Sequence, residues 1–327
     1  MQPVISITAP TPTDLKPTVH GRIFRTTTFF ADAALFDMDG TLTDSIAAVE
    51  AAWSRVAREI GADPTFVIAA THGKRAIDNL ARFKPHLLSH EMNAAVEEFE
   101  RTILFYADAC AHRRGARSST PSLLSNSDFD SESATGNSSV SSLVLSAVAS
   151  TEQLAATLSI ARAGDSSNEW KLEAELDTVE VDRAVRILPG VKALLESIPE
   201  GRYAIATSGA KTYAHGCLGR VGIVPPKVTI TADDPRLRAG KPAPDPFLLA
   251  AECLGYRASR CVVLEDSPSG IKAGVAAGAI VIAVCTSHSR KQIEECGAHF
   301  VVENLEDVRC EEMETDEGTR LMFTVEH

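Results

Sequence analysis

Two carboxylates separated by one residue follow a short apolar run near the start of the chain. Asp37 and Asp39 come directly after residues 33–36 and precede Gly40 and Thr41. Residues two apart in a strand point to the same side, so both carboxylates can converge just past the strand's end. One could attack phosphorus while the other moves a proton; Gly40 would allow a sharp turn, and Thr41 with nearby N–H groups would hold phosphate oxygens. An acidic turn is the plainer interpretation of Asp-x-Asp alone, but the complete Asp-x-Asp-Gly-Thr pattern rarely arises by chance.

Two later segments carry groups suited to an anion. Ser208 and Gly209 follow the apolar residues 203–206. Ser208 could donate to a phosphate oxygen and Gly209 leaves room for close backbone approach, although an ordinary strand-to-turn junction has the same composition.

Lys241 lies in a Gly-Lys-Pro sequence before a proline-rich helix start. From there its ammonium could neutralise Asp37 and a phosphate before attack, where a solvated surface lysine is the alternative.

Adjacent acids, Glu265 and Asp266, end a further apolar run at residues 261–264. A buried parallel strand is typically a continuous apolar run, so this one would bring both acids to the same sheet edge as Asp37. Oxygen ligands beside a phosphate suit Mg²⁺, which keeps several waters and uses few protein carboxylates. An acidic helix N-terminus is the alternative interpretation of these two residues.

These segments, in this order, resemble the signature motifs of the haloacid dehalogenase-like hydrolases, from about Phe30 to the C-terminus except for one insert. The resemblance implies that Asp37 is a nucleophile that passes through an aspartyl-phosphate, and that Asp39 is the general acid and base. It also implies Mg²⁺ bound by the Asp37 side chain, the Asp39 backbone carbonyl and Asp266, with Glu265 binding directly or through water. Carboxylates beside divalent cations are established nucleophiles towards phosphoryl groups.

Strands alternate with helical patterns in the second half of the chain. This alternation predicts an α/β fold with a doubly wound parallel sheet, a Rossmann-like core with ligands at the carboxyl ends of its strands. The predicted strands are 33–36, 203–206, 228–231, 261–264, 280–284 and 299–302, and the predicted helices are 191–197, 210–220, 244–254, 269–277 and 290–296. Residues 320–325 alternate like an extra edge strand, which we expect to pair with residues 21–28.

A small helical cap domain is predicted after the first strand. Residues 47–61 and 92–111 have apolar positions three and four apart. Such a cap would exclude water and choose the leaving group. His72, Arg75 and Asp78 resemble the cap segment of fungal 2-deoxyglucose-6-phosphate and glycerol-3-phosphate phosphatases. We expect Arg75 to read the substrate, because a guanidinium offers several donors; a helix cap with a surface ion pair is the alternative.

The composition changes abruptly after Cys110. Residues 118–150 hold thirteen serines and few aromatics, too little apolar surface to fold independently. The predicted organisation is a flexible tail (1–20), core (21–46), cap (47–112), disordered serine-rich insert (113–168), return to the core (169–184) and core (185–327). We interpret the insert as a tolerated surface insertion rather than a phosphorylatable regulatory loop, because long loops cost little extra entropy.

Composition narrows the possible partners and location. The net charge of −12 has no offsetting basic stripe, which argues against nucleic acid. No apolar run is long enough to span a membrane, and the first twenty residues lack an apolar signal core. Seven cysteines without a Cys-x-x-Cys pair favour reduced thiols in a cytoplasmic protein. No obligate protein partner is evident.

The predicted function is a Mg²⁺-dependent phosphatase acting on a small phosphorylated metabolite, a sugar or polyol phosphate. Glycerol 3-phosphate, 2-deoxyglucose 6-phosphate and other hexitol or pentose phosphates all stay open as substrates. The alternative is a phosphosugar mutase resembling beta-phosphoglucomutase, but such mutases carry a histidine where this chain has Val49. A dehalogenase would not include Asp39 or require a metal. A non-catalytic regulatory relative would have lost a motif residue, and none is missing.

Overall fold

A computed structural model describes the backbone of residues 25–118 and 182–327, and the side chains of residues 25–108 and 182–327. The predicted tail at 1–20 and nearly all of residues 113–184 lie outside these ranges, so the predictions made for them stay predictions. The chain divides into two units, Met1–Asp108 with Arg183–His327, and Ala109–Asp182. The sheets, cap and site described below belong to the first unit.

A six-stranded parallel sheet forms the core. In chain order the strands of the protein are β1 (Thr26–Ala31), β2 (Ala33–Phe36), β3 (Thr43–Asp44), β4 (Arg186–Ile187), β5 (Tyr203–Ala206), β6 (Thr229–Ile230), β7 (Cys261–Glu265), β8 (Ile280–Val284), β9 (Phe300–Val302), β10 (Val308–Thr315) and β11 (Gly318–Glu326). The order in the main sheet is β6-β5-β2-β7-β8-β9. All residues of β2, β7 and β8 are buried, which explains their uninterrupted apolar sequences. The chain builds outward from β2 in both directions, so β2 ends at the switch point where such sheets bind ligands.

Helices lie between the strands and also form the cap. They are α1 (Ile46–Glu59), α2 (Pro64–Thr71), α3 (Ala76–Phe83), α4 (Met92–Ser118), α5 (Val191–Ser197), α6 (Lys211–Arg220), α7 (Asp245–Leu254), α8 (Pro268–Ala276) and α9 (Arg290–Glu294). The predicted α/β fold is therefore confirmed, and the boundaries of the predicted strands and core helices either match or differ by one or two residues. The cap helix α4 continues to Ser118, beyond the predicted end at residue 111.

Within the cap, α1 and α4 pack through aromatic side chains. The Trp53 and Phe99 rings have centroids 4.2 Å apart. Trp53, Val56 and Ala57 on α1 are buried, as are Ile103 and Tyr106 on α4. This packing gives the cap its own apolar interior beside the main sheet. No helix in the described ranges is long and apolar enough to cross a membrane.

A three-stranded antiparallel sheet, β1-β11-β10, completes the core. The last strand pairs with the first, as predicted, but its partner is residues 26–31 rather than 21–28, with Thr26 opposite Glu326 and Ala31 opposite Leu321. Strand β10 was not predicted, because its acidic and mostly exposed sequence lacks a clear apolar alternation. It pairs with β11 through a tight turn at Gly318.

Candidate active site

Asp37 directly follows β2 and lies against Lys241. Its backbone N–H donates to the Leu264 carbonyl at 3.0 Å, which extends the pairing of β2 with β7 by one residue. The buried Lys241 ammonium donates to Asp37 Oδ1 and, at 2.9 Å, to Glu265 Oε1. The structure therefore brings together three residues that are far apart in the sequence and were predicted to share one sheet edge.

The turn after Asp37 is shaped around Asp266. Gly40 has φ +81°, and a Cβ at this position would collide with the Asp266 carboxylate. Both features require glycine. Thr41 is fully buried and its hydroxyl donates to Asp266 Oδ1 at 3.4 Å. Ser287 also donates to the Asp266 carboxylate. The Thr41 hydroxyl, predicted to hold phosphate, thus lies on a carboxylate of the site.

Asp39 is held by two hydroxyl donors that converge on one oxygen. Ser45 Oγ donates to Asp39 Oδ1, and the buried Tyr213 hydroxyl donates to the same atom at 2.6 Å. Tyr213 lies in the first turn of α6, directly after Ser208 and Gly209. Sequence reasoning missed it, although its position just beyond a candidate phosphate-binding turn was a usable signal. With Oδ1 occupied by two donors, Oδ2 is the oxygen left for proton transfer.

The site concentrates negative charge in a buried volume. Burial raises the pKa of Asp37 and of Glu265, although Lys241 acts in the opposite direction. Burial also raises the pKa of Asp39 against the two hydroxyl donors that lower it. For Lys241, burial alone would lower the pKa, but the charges of Asp37 and Glu265 raise it above its usual range. Together with Asp266, these carboxylates outnumber the neighbouring ammonium.

The carboxylate oxygens fit a hard divalent cation. Asp37, Glu265 and Asp266 each offer an oxygen, and these atoms lie within 4.8 Å of one another. Mg²⁺ prefers such oxygen donors, and its charge would offset the crowded carboxylates. Glu265 already binds Lys241 through Oε1, while its Oε2 accepts from the Ser267 N–H at 2.8 Å. Asp37 and Asp266 also accept hydrogen bonds from protein groups, so all three carboxylates are candidate ligands.

The cap reaches the catalytic edge through its turn at His72 and Gly73. The hydroxyls of Ser208 and Ser269 donate to the Gly73 carbonyl at 3.0 and 2.9 Å. Gly73 has φ +69°, and a Cβ there would meet the hydroxyls of Ser267 and Ser269. His72 Nε2 lies 3.8 Å from Asp266 Oδ2. The Ser208 hydroxyl, predicted to bind phosphate, is bound to the cap backbone in this arrangement.

Arg75 and Asp78 form an ion pair beside the site. The Arg75 guanidinium donates to both Asp78 oxygens, at 2.8 and 3.0 Å, and the Asp78 side chain is half exposed. The stem of Arg75 packs so closely on Gly240 that a Cβ there would collide with it. Arg75 does not line the cavity next to Asp37. The arrangement is that of the surface ion pair, which was the alternative interpretation of these residues. The substrate-reading role of Arg75 stays a prediction.

A chamber of about 70 Å³ separates the cap from the catalytic carboxylates. Its polar walls include Asp37, Asp39, Ser208, Gly209 and Tyr213 from the core, and Thr71, His72, Lys74 and Glu100 from the cap; its apolar walls are Ile46, Val49, Trp53, Phe99 and Ile103. A larger cavity of about 530 Å³ shares Ala76, Glu100 and Tyr213 with it. A small organic group attached to phosphate would find both apolar and hydrogen-bonding surfaces here.

Glu100 is the second chamber residue that sequence reasoning missed. It is 5% exposed, and its Oε1 accepts from the Ala210 N–H at 2.7 Å. Most of its neighbours on the buried side of α4 are apolar, namely Phe99, Ile103, Tyr106 and Ala107, with Thr102 the exception. A charged residue within an apolar helical stripe was the available signal.

Comparison with known proteins agrees with this geometry. A model of the haloacid dehalogenase-like hydrolase family matches residues 31–278. Hexitol phosphatase A of Escherichia coli is 30% identical over 276 residues, which cover 84% of this chain and 91% of that protein. Glycerol-1-phosphate phosphohydrolase 2 of Saccharomyces cerevisiae is 28% identical, covering 85% and 84%. A solved hydrolase from Pseudomonas syringae has a TM-score of 0.52 at 19% identity, covering 84% of this chain and 93% of its own, and shows the same fold.

Proposed function

The chain belongs to the haloacid dehalogenase-like hydrolases, and we propose that it is a Mg²⁺-dependent phosphatase of small sugar or polyol phosphates that works through an aspartyl-phosphate. The observation that carries this proposal is the arrangement around Asp37. This carboxylate lies at the end of the central strand, bound to Lys241, with Asp39 and Asp266 beside it. A nucleophile, a proton carrier and a cationic group therefore meet in one place.

The reaction proceeds in two displacements. A carboxylate oxygen of Asp37 attacks phosphorus, the bond from phosphorus to the ester oxygen breaks, and Asp39 gives its proton to the departing alkoxide. Asp39 then takes a proton from water, the resulting hydroxide attacks the phosphorus of the aspartyl-phosphate, and inorganic phosphate leaves with Asp37 restored. Ser45 and Tyr213 hold Asp39 Oδ1, so Oδ2 carries the transferred proton.

Asp37 and Asp266 would hold the metal ion, with Glu265 next to them. When bound, Mg²⁺ supplies positive charge that stabilises the phosphoryl oxygens during transfer. Lys241 supplies a second positive charge and fixes the orientation of the Asp37 carboxylate. Thr41 and Ser287 hold the Asp266 carboxylate in place from the other side, in the way that outer hydrogen bonds commonly orient metal ligands.

The chamber favours transfer to water over transfer to a second sugar. Val49, the residue at the position where mutases of this type carry a histidine, lies in the chamber wall. An aliphatic side chain cannot donate to or accept from a sugar hydroxyl. No group at this position can therefore help a second sugar hydroxyl to attack the aspartyl-phosphate.

The substrate class follows from the chamber and from the relatives. Two of the relatives are named as a hexitol phosphatase and a glycerol-1-phosphate phosphohydrolase. The chamber pairs apolar walls with a few polar side chains, which suits the carbon chain and hydroxyls of a polyol. We expect the enzyme in the cytoplasm, where the six described cysteine thiols would stay reduced.

A phosphate-release assay tests this proposal. Purified protein with Mg²⁺ is incubated separately with glycerol 3-phosphate, sorbitol 6-phosphate, 2-deoxyglucose 6-phosphate and p-nitrophenyl phosphate. Turnover of at least one polyol or sugar ester is expected, and Asp37→Asn, which preserves volume but removes the nucleophile, should lower it by at least about a thousandfold. Residual turnover above about one per cent in that variant would contradict covalent catalysis by Asp37.

A further inference from the structure

Glu100 is a buried carboxylate that the chemistry at Asp37 does not require. It lies on the cap helix α4, in the wall of the same chamber as Asp37 and Asp39. It also lines the larger neighbouring cavity. Glu100 therefore lies at the junction of the two cavities, where the part of a substrate beyond its phosphate would pass.

One oxygen of Glu100 has a protein partner and the other has none. Oε1 accepts from the Ala210 N–H. Among the residues that the structure describes, no donor reaches Oε2. Burying most of a carboxylate is costly, and a glutamine would accept the same N–H bond without the charge. The fold alone therefore gives no reason for a carboxylate at this position.

The other polar cap side chains of the chamber already have partners. The Thr71 hydroxyl donates to the Val67 carbonyl at 2.9 Å, and the Lys74 ammonium donates to the Ala70 carbonyl at 2.8 Å. His72 faces Asp266. Within the described part of the cap, Glu100 is thus the chamber residue with a carboxylate oxygen left for a ligand.

A carboxylate acceptor discriminates between kinds of leaving group. A hydroxyl of the leaving group can donate to Oε2, a charge-assisted hydrogen bond in a largely apolar chamber. A leaving group with its own carboxylate would place a like charge there. Resting on the proposed phosphatase function, we propose that Glu100 selects phosphate esters of neutral polyhydroxy alcohols over esters whose leaving group carries a carboxylate.

The test compares ratios of kcat/KM among three esters at about pH 8.5, where the Glu100 carboxyl, whose pKa burial raises to about 7, is ionised. They are glycerol 3-phosphate, 2-phosphoglycolate, whose leaving group carries a carboxylate, and p-nitrophenyl phosphate, which has neither feature. Glu100→Gln keeps the acceptor for Ala210 and removes the charge. Glu98→Gln is the matched control, because Glu98 lies on the same helix with a mostly exposed side chain. Wild type should prefer glycerol 3-phosphate to 2-phosphoglycolate.

In Glu100→Gln, kcat/KM for glycerol 3-phosphate relative to kcat/KM for p-nitrophenyl phosphate should fall about ten- to a hundredfold. This is the range for a lost hydrogen bond to a charged group. The ratio of 2-phosphoglycolate to p-nitrophenyl phosphate should rise, and Glu98→Gln should change neither ratio. Equal losses of kcat/KM on all three esters would mean that Glu100 only stabilises the fold. Unchanged ratios in Glu100→Gln would overturn the proposal that Glu100 selects the leaving group. A wild-type preference for 2-phosphoglycolate would overturn it as well. Hydrolysis of p-nitrophenyl phosphate that Asp37→Asn abolishes would sustain the phosphatase function in each of these cases.

Discussion

Replacing Glu100 by glutamine should make the stability of the protein less dependent on pH. In the folded protein, burial raises the pKa of the Glu100 carboxyl, the Ala210 N–H lowers it, and the charges of Asp233 and Asp39 raise it, to about 7 from an ordinary value of 4.5. Glutamine has nearly the same size and can accept the same N–H bond. It has no proton to lose in this range.

The sign of the effect follows from proton binding. Between pH 4.5 and about 7 the unfolded chain releases the Glu100 proton while the folded protein keeps it. The folded state then binds more protons, so the free energy of unfolding falls as the pH rises. The contribution is fully present below 4.5 and is lost by the time the pH has passed about 7. At about 1.4 kcal/mol for each pKa unit, the loss amounts to about 3 kcal/mol.

Equilibrium urea unfolding at several values between about pH 5 and pH 8 measures this difference. Tryptophan fluorescence is a suitable probe, since Trp53 contacts Phe99, the residue before Glu100. The free energy of unfolding of Glu100→Gln relative to wild type should increase by about 2–3 kcal/mol across this range. Glu98→Gln should run parallel to wild type. If Glu100→Gln also runs parallel, then the Glu100 carboxyl is not perturbed by burial and the reasoning fails.

Three further outcomes are expected. Chelation of divalent cations should stop turnover and added Mg²⁺ should restore it; full activity after chelation would exclude a required metal. In a metal titration, Asp266→Ala should raise the Mg²⁺ concentration for half-activity at least about tenfold. Tyr213→Phe removes one donor from Asp39, so kcat/KM should fall about tenfold more for an alkyl phosphate than for p-nitrophenyl phosphate, whose leaving group needs little acid help; equal losses would limit Tyr213 to packing. If Arg75 reads the substrate as predicted, Arg75→Ala should lower kcat/KM for the alkyl phosphate about tenfold relative to p-nitrophenyl phosphate. A change of less than about twofold would leave Arg75 in its ion pair with Asp78, outside the chamber.

The sheet could be predicted from the sequence because each buried strand is encoded locally. Residues 261–264 and 280–284 are continuous apolar runs, and acidic or hydroxyl residues follow the strands that end at the site. Parallel strands share their carboxyl edge, so Asp37 and Asp266 had to lie close together. Periodicity and spacing were sufficient for this part of the fold.

The cap interface could not be predicted in the same way, because it depends on how separately formed helices dock. Periodicity indicated that α4 is amphipathic but not that Glu100 would meet the N-terminus of α6. Similarly, Tyr213 reaches Asp39 across 174 positions of sequence. Residue type favoured Arg75 as a substrate ligand, but it could not show that the guanidinium also binds Asp78, three positions further along the chain. Side-chain geometry decides each of these contacts.

The Gly73 carbonyl of the cap accepts hydrogen bonds from two serine hydroxyls, those of Ser208 and Ser269. The Ser208 hydroxyl can donate either to this carbonyl or to a bound anion, but not to both at once. Ser208 has a single hydroxyl hydrogen, and it now points at the cap. A phosphoryl oxygen that took this hydrogen would leave Gly73 attached through Ser269 alone. If Ser208 binds phosphate as predicted, then the contact with Gly73 and the bound anion weaken each other by the same factor. A bound phosphate and the cap carbonyl would thus compete for the Ser208 hydroxyl, so the Ser208–Gly73 hydrogen bond would depend on whether the phosphate site is filled.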